Sequence, residues 1–249
     1  MTPQNTQPQL PNWDHERRSV LAGAKWLHMK ALVGEKNGNV SSRVTSGPDS
    51  FMAITGSGIG YESMSMGDIV VVDFQGDPIL GDVIPSTESL LHAAIYLERS
   101  EINAVVHTHS IYASALAVRG LSLPPIIDEM IIYIGGEIQI AEYGFPGTDE
   151  LAKYSVDALG TRNAVLLRNH GLVAVGSSVA EALEVSHLTE RIAKIFVYAE
   201  FMGGAKLLPE DVISAELELF QMRRAARLED LNFRLEQRSN TANPGYSTK

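Results

Sequence analysis

Residues 104–110 read Ala-Val-Val-His-Thr-His-Ser. Ala104 to Val106 is a short, wholly apolar run, the pattern of a buried strand. Two histidines follow at its end, one residue apart. Alternate residues of an extended chain point to the same side, so His107 and His109 can bring both imidazoles to one ion. Leu167-Arg168-Asn169-His170-Gly171 repeats the design: the apolar run from Ala164 to Leu167 ends at a glycine turn that carries a third histidine. Leu172 to Val175 reads as another strand. Three histidines with one open position describe a catalytic metal site, not a structural one. Any one of them, taken singly, reads more readily as a packed or surface histidine held by a hydrogen bond; the three together read equally well either way.

Working outward, the strands alternate with helical patterns but without a strict βαβ rhythm. Asp14 is the expected N-cap of a helix to about Val33, with Val20, Leu21, Ala24, Leu27 and Leu32 near helical spacing, and Trp13 pins the chain before it. Phe51 to Ile54 and Ile69 to Phe74 are β-rich runs. Thr87 to Arg99, Ile111 to Val118, Thr148 to Leu159 and Val179 to Phe201 read as helices. Thr148 is the expected N-cap of its helix, with Asp149 and Glu150 in the first turn where the helix dipole favours them. Ile131 to Ile140 reads as extended, kinked at Gly135-Gly136. Pro209 opens a last helix to roughly Leu235. Residues 1–13 and 239–249 read as flexible tails around a single domain, 14–238. The fold class is α/β, with a mixed or antiparallel central sheet covered by helices.

The chain has 249 residues, 45% of them hydrophobic and 20% charged. That is ample apolar surface for one large core and excludes a disordered chain. Lys plus Arg number 20 against 30 Asp plus Glu, a net charge of −10. So acidic a chain is a poor nucleic-acid binder and a poor partner for anionic membranes. There is no cysteine, which removes disulfides, thiolate catalysis and cysteine-ligated metals. No secretory signal and no eighteen-residue apolar span is read, so a cytoplasmic protein is expected.

Glu88 stands at a helix start in Pro85-Ser86-Thr87-Glu88. A glutamate there suits the helix dipole, and it also suits a carboxylate acting on a metal or its substrate as general base. Two loops, Asn37-Gly38-Asn39-Val40-Ser41 and Thr55-Gly56-Ser57-Gly58, have the small residues and donors that let backbone N–H groups cradle an anion, or that simply make turns. Ser86 and Thr87 can join them. Asp128-Glu129 interrupts an apolar run after Pro124-Pro125, which calls either for a function or partner or for a solvated loop edge. His92 reads as a helix-face histidine; His15, His28 and His187 receive no role, and Met64 and Met66 read as packing residues.

The segments GNVS (38–41), ITGSGIGYE (54–62), GDIVVVD (67–73), IPSTES (84–89), VVHTHS (105–110), FPGTDEL (145–151) and LLRNHGLVAVG (166–176), in that order and spacing, resemble the class II aldolase/adducin family over about residues 15–205. The resemblance implies a three-layer α/β/α sandwich with a mainly antiparallel central sheet, assembled as a ring-shaped homotetramer with sites between subunits. It implies a metal-dependent carbon–carbon lyase of the fuculose-phosphate aldolase type. Such an enzyme splits a ketose 1-phosphate into dihydroxyacetone phosphate and an aldehyde through a metal-stabilised enediolate. It further implies Zn2+ (or Mn2+, Co2+ or Fe2+) on His107, His109, His170 and Glu88, with Glu88 also as acid/base. The phosphate pocket carries over onto Asn39, Ser57, Gly58, Ser86 and Thr87. Where the fuculose branch has a tyrosine donated by a neighbouring subunit, this chain has Glu129. Glu129-Met130 resembles the methylthioribulose-phosphate dehydratases, so a dehydratase, or a decarboxylase, on the same scaffold is the alternative. A non-catalytic adducin-like scaffold is the alternative of a different class, disfavoured because such heads lack the histidines. Tyr246 is the candidate for a C-terminal tyrosine that closes the site.

Overall fold

The computed structural model describes residues 11–242. Trp13 lies buried against Phe51, with its indole Nε1 donating to the Thr45 carbonyl at 3.0 Å, so it anchors the chain as expected. Helix α1 (Asp14–Met29) follows, with Trp13 and not Asp14 in the N-cap position and an end short of Val33, and then β1 (Asn39–Ser46), β2 (Asp49–Thr55), β3 (Ile69–Val72) and β4 (Pro78–Leu80). Helix α2 (Ser89–Glu98) leads into β5 (Ala104–Thr108), which carries the first histidine. Beyond it come α3 (Ile111–Arg119), α4 (Asp128–Ile134), β6 (Ile140–Ala141) and α5 (Asp149–Leu159). Strands β7 (Ala164–Leu167) and β8 (Gly171–Gly176) precede α6 (Val179–Phe201) and α7 (Glu210–Ala242).

The eight strands form one sheet in the order β4-β3-β2-β1-β5-β8-β7-β6. Six of the seven neighbouring pairs are antiparallel, and only β6–β7 runs parallel. The sheet is therefore mixed and mostly antiparallel. Period-two alternation divides the core. Ala104 and Val106 pack with Val20, Ala24, Leu27 and Leu183 of α1 and α6. Ala164, Leu166, Leu172 and Ala174 pack with residues of α3, α4 and α6. Val105, Val165, Leu167, Val173 and Val175 turn the other way, onto Leu91, Ile95, Leu151 and Leu159 of α2 and α5. The register pairs Asn39 with His107, Thr108 with Leu172 and Leu167 with Gly171. The start of β1, the end of β5, the end of β7 and the start of β8 thus meet at one end of the central strands.

Helix α6 spans the residues expected of it, and Thr148 caps α5 by accepting the Leu151 N–H at 3.3 Å. Three expectations are corrected. The apolar run after Asp128 is not extended but begins as helix α4, because Met130, Ile131 and Ile134 recur at helical spacing and all three are buried. Gly135 ends that helix in a left-handed conformation (φ 100°), and a Cβ there would sit 2.7 Å from the Phe220 ring of α7. Strand β1 was not legible as a strand, since NVSSRVTS is polar yet central in the sheet. Helix α7 continues to Ala242, past Leu235 and into the expected tail. Residues 1–10 and 243–249, with Tyr246, lie outside the described residues. Among the described residues, no helix is long and apolar enough to cross a membrane.

Candidate metal centre

Strand β5, central in the sheet, delivers His107 near its C-terminal end, where it is fully buried. Its Nδ1 lies 3.0 Å from the Leu172 carbonyl oxygen. A carbonyl only accepts, so the proton sits on Nδ1 and the Nε2 lone pair faces the site. His109 lies just beyond the strand and brings its Nε2 to 2.9 Å from that of His107. His170 comes from the β7–β8 turn, where Asn169 takes a left-handed conformation (φ 56°) that asparagine tolerates better than most residues. The three rings lie edge-on to one another with centroids 4.7–4.9 Å apart.

Glu88 is the N-cap residue of α2, but its side chain makes no capping bond. Its carboxylate turns to the imidazoles instead, with Oε2 3.3 Å from His107 Nε2 and Oε1 3.4 Å from His170 Nε2. The Asn39 side-chain amide donates to Oε2 at 2.8 Å. Glu88 Oε1 and His170 Nδ1 are buried with no hydrogen-bond partner.

Electrostatics keep this set ready for a cation. Burial lowers the His107 pKa to about 4, so the ring is neutral at pH 7. Burial and the neighbouring His170 lower that of His109. Burial alone would raise the Glu88 carboxyl, but His107 and His170 beside it and the Asn39 amide outweigh burial and hold it below the usual carboxylate range. Imidazole nitrogens and one carboxylate are the donor set for a divalent ion. Ligand atoms of His107, His109 and His170 all lie within 4.8 Å of one another, so this group could hold a metal ion. The convergent lone pairs and the unpartnered Glu88 oxygen fit such an ion.

The sequence missed the polar layer behind Glu88. Residues 88, 92 and 96 share a face of α2 at i, i+4, i+8. Ser41 of β1 meets both His92 Nδ1 and the Tyr96 hydroxyl at 2.7 Å. His92 is fully buried, and burial pushes its pKa down to about 3. It is thus a buried histidine beside the site, within hydrogen-bond reach of Ser41.

The anion-loop residues are only partly gathered. A bridge between Gly56 and Pro85 joins the two loops, with Ser57 N–H donating to the Ile84 carbonyl and Ser86 N–H to that of Thr55. Ser57, Gly58 and Thr87 are exposed, whereas Ser86 is buried and its Oγ accepts the Glu88 N–H at 3.3 Å. Asn39 is occupied by Glu88. Glu129 stands apart within one chain: it lies exposed in the first turn of α4, and its carboxylate takes the Arg191 guanidinium.

Residues 18–197 match the family model described as Class II Aldolase and Adducin N-terminal domain. The chain is 35% identical over 196 residues to the 5-deoxy-D-ribulose 1-phosphate aldolase of Bacillus thuringiensis serovar kurstaki, covering 79% of this chain and 91% of that one. It is 34% identical over 185 residues to the L-fuculose phosphate aldolase of Escherichia coli K12, covering 74% and 84%. A solved L-fuculose 1-phosphate aldolase superposes with a TM-score of 0.78 at 33% identity, over 84% of this chain and 97% of that one. These relatives are named aldolases, which are lyases. Sequence, fold and the gathered histidines agree: the chain belongs to the class II aldolase and adducin family.

Proposed function

We propose that the protein is a metal-dependent lyase that cleaves a ketose 1-phosphate into dihydroxyacetone phosphate and an aldehyde. The observation that carries this reading is the convergence of three imidazole nitrogens and the Glu88 carboxylate on one point at the end of the central strands. His107, His109 and His170 would hold the ion, with Glu88 completing the set. Zinc is the first assignment, with manganese, cobalt or iron as substitutes. The bound ion would supply Lewis-acid stabilisation of negative charge on the substrate oxygens.

The chain's own residues supply the rest. Glu88, held as a carboxylate, takes the proton from the hydroxyl next to the scissile bond at Oε1. The C–C bond then breaks as the aldehyde carbonyl forms, and a proton returned to the other fragment completes dihydroxyacetone phosphate. Ser57, Gly58, Ser86 and Thr87 bind the phosphate and so fix the reacting carbons. Asn39 gives one amide N–H to Glu88 and keeps a second for the phosphate. Glu129 acts in the site of a neighbouring copy as a proton carrier, within a ring-shaped homotetramer of α/β/α sandwiches in the cytoplasm. A dehydratase is the second reading, favoured by Glu129-Met130.

The test is a mass-spectrometric product assay on zinc-loaded protein with fuculose, ribulose, 5-deoxyribulose and methylthioribulose 1-phosphates. Release of dihydroxyacetone phosphate supports the aldolase. Loss of water with no C–C cleavage replaces it by the dehydratase, and no reaction with any of them overturns both.

A further inference from the structure

We infer that Glu190 is a positioning residue for the metal centre and that it works through helix α3. This rests on the assignment of His109 and His170 as ligands. His109 is followed by Ser110 and then directly by α3. A helix start leaves its first amides without intrahelical partners. Ser110 is the N-cap residue here, yet its side chain makes no capping bond and its Oγ is buried without a partner.

The partner comes from a different helix. Tyr112 N–H donates to Glu190 Oε1 and Ala113 N–H to Glu190 Oε2, both at 2.9 Å. Glu190 belongs to α6, which packs on the sheet face that carries Ala104 and Val106. One carboxylate thus fastens the N-terminal end of α3 to an element already fixed by the core, and its charge suits that helix end.

Helix α3 also supports the other loop ligand. Ser114 Oγ donates to the His170 carbonyl at 3.5 Å, and the Ala117 carbonyl accepts the Asn169 N–H at 3.2 Å. Two of the three imidazoles therefore hang from one short helix, while His107 is fixed by the sheet itself. The α3 position sets how far apart these ligands stand, and Glu190 sets the α3 position.

Glu181 provides the comparison. It lies in the same helix, accepts the Ser177 N–H at 2.8 Å and pairs with Arg227 at 2.6 Å, but none of these residues adjoins a histidine of the cluster. Glu190→Ala, Glu190→Gln, Glu181→Ala and His107→Ala would be titrated with Zn2+ against a chromophoric chelator. Thermal melts and amide hydrogen exchange would be recorded on the metal-free proteins. Glu190→Ala is expected to bind zinc about tenfold more weakly, the scale at which residues supporting metal ligands act. Glu190→Gln should fall between it and the parent, because one amide oxygen replaces two carboxylate oxygens. Faster exchange at Tyr112 and Ala113 should accompany both. Glu181→Ala should lose thermal stability while keeping its zinc affinity. Affinity within twofold of the parent in a folded Glu190→Ala protein, or in Glu190→Gln should the alanine variant not fold, overturns the inference. Zinc retained by His107→Ala would instead overturn the metal assignment on which it rests.

Discussion

Gly171 passes so close to the Thr108 carbonyl that no Cβ fits between them. The same Cβ would lie 3.3 Å from His107 Cε1 and 3.3 Å from His109 Cδ2. The neighbour is sheet backbone, which cannot swing aside. Gly171→Ala must therefore part β5 from β8 where two imidazoles are mounted. It is expected to cost about 1–3 kcal/mol by overpacking and to weaken zinc binding at least about tenfold. Chemical denaturation and chelator competition measure the two effects, and parental zinc affinity would refute the argument.

The metal-free protein should lose stability as the solution is acidified. His107 and His92 have pKa values of about 4 and about 3 in the folded chain, against 6.5 ordinarily. With lowered values in the fold, the unfolded chain takes up protons first as pH falls through 6.5. Stability is then lost progressively down to about pH 4 and about pH 3. At pH 5 each histidine should have cost about 2 kcal/mol. Urea unfolding between pH 7.5 and 5 checks the slope, and a flat profile contradicts it.

Glu129→Gln separates metal binding from turnover. Glu129 pairs with Arg191 and is remote in contact from the imidazoles of its own chain. The variant should keep its zinc and lose turnover by about 100-fold or more, the scale of a positioned acid or base. Metal content and kcat are the measurements. Parental kcat would reduce Glu129 to an α4–α6 strut.

Helix α7 is held by a buried charge cluster. Glu101 Oε1 accepts from Arg99 Nε and from Arg224 Nε of α7, each at 3.0 Å. Arg99 is only 5% exposed. Glu101→Ala would leave it buried and unpaired, which costs about 3–5 kcal/mol. Thermal melts should show this, together with protease cleavage in α7. A loss below about 1 kcal/mol would mean that Phe220 against Gly135 does the holding.

The clustered histidines were legible because strand period and spacing are local facts. His-x-His at the end of an apolar run puts two rings on one side wherever the strand goes, and the family motifs supplied the rest by resemblance. Helices with strong caps, such as α5 behind Thr148, were legible for the same reason. Strand β1 was not, because its serines and arginine are buried by partners distant in sequence: Ser41 meets His92 and Tyr96, and Arg43 donates to the Tyr96 and Ile102 carbonyls. Helix α4 was read as extended from Ile131 onward because Ile131, Ile132, Tyr133 and Ile134 form an apolar run too short for periodicity to tell a strand from a buried helix. Glu88 could be placed at a helix start from sequence, but not turned toward the imidazoles. That turn depends on Asn39, brought opposite His107 by the β1–β5 register. The Glu190 clamp on α3 joins residues 77 and 78 positions apart. Sequence by itself determined which side chains are candidates for the chemistry and which local elements present them. Tertiary structure alone decided which of those side chains meet, because hydrogen bonds and sheet register between distant segments leave no periodic trace in the chain.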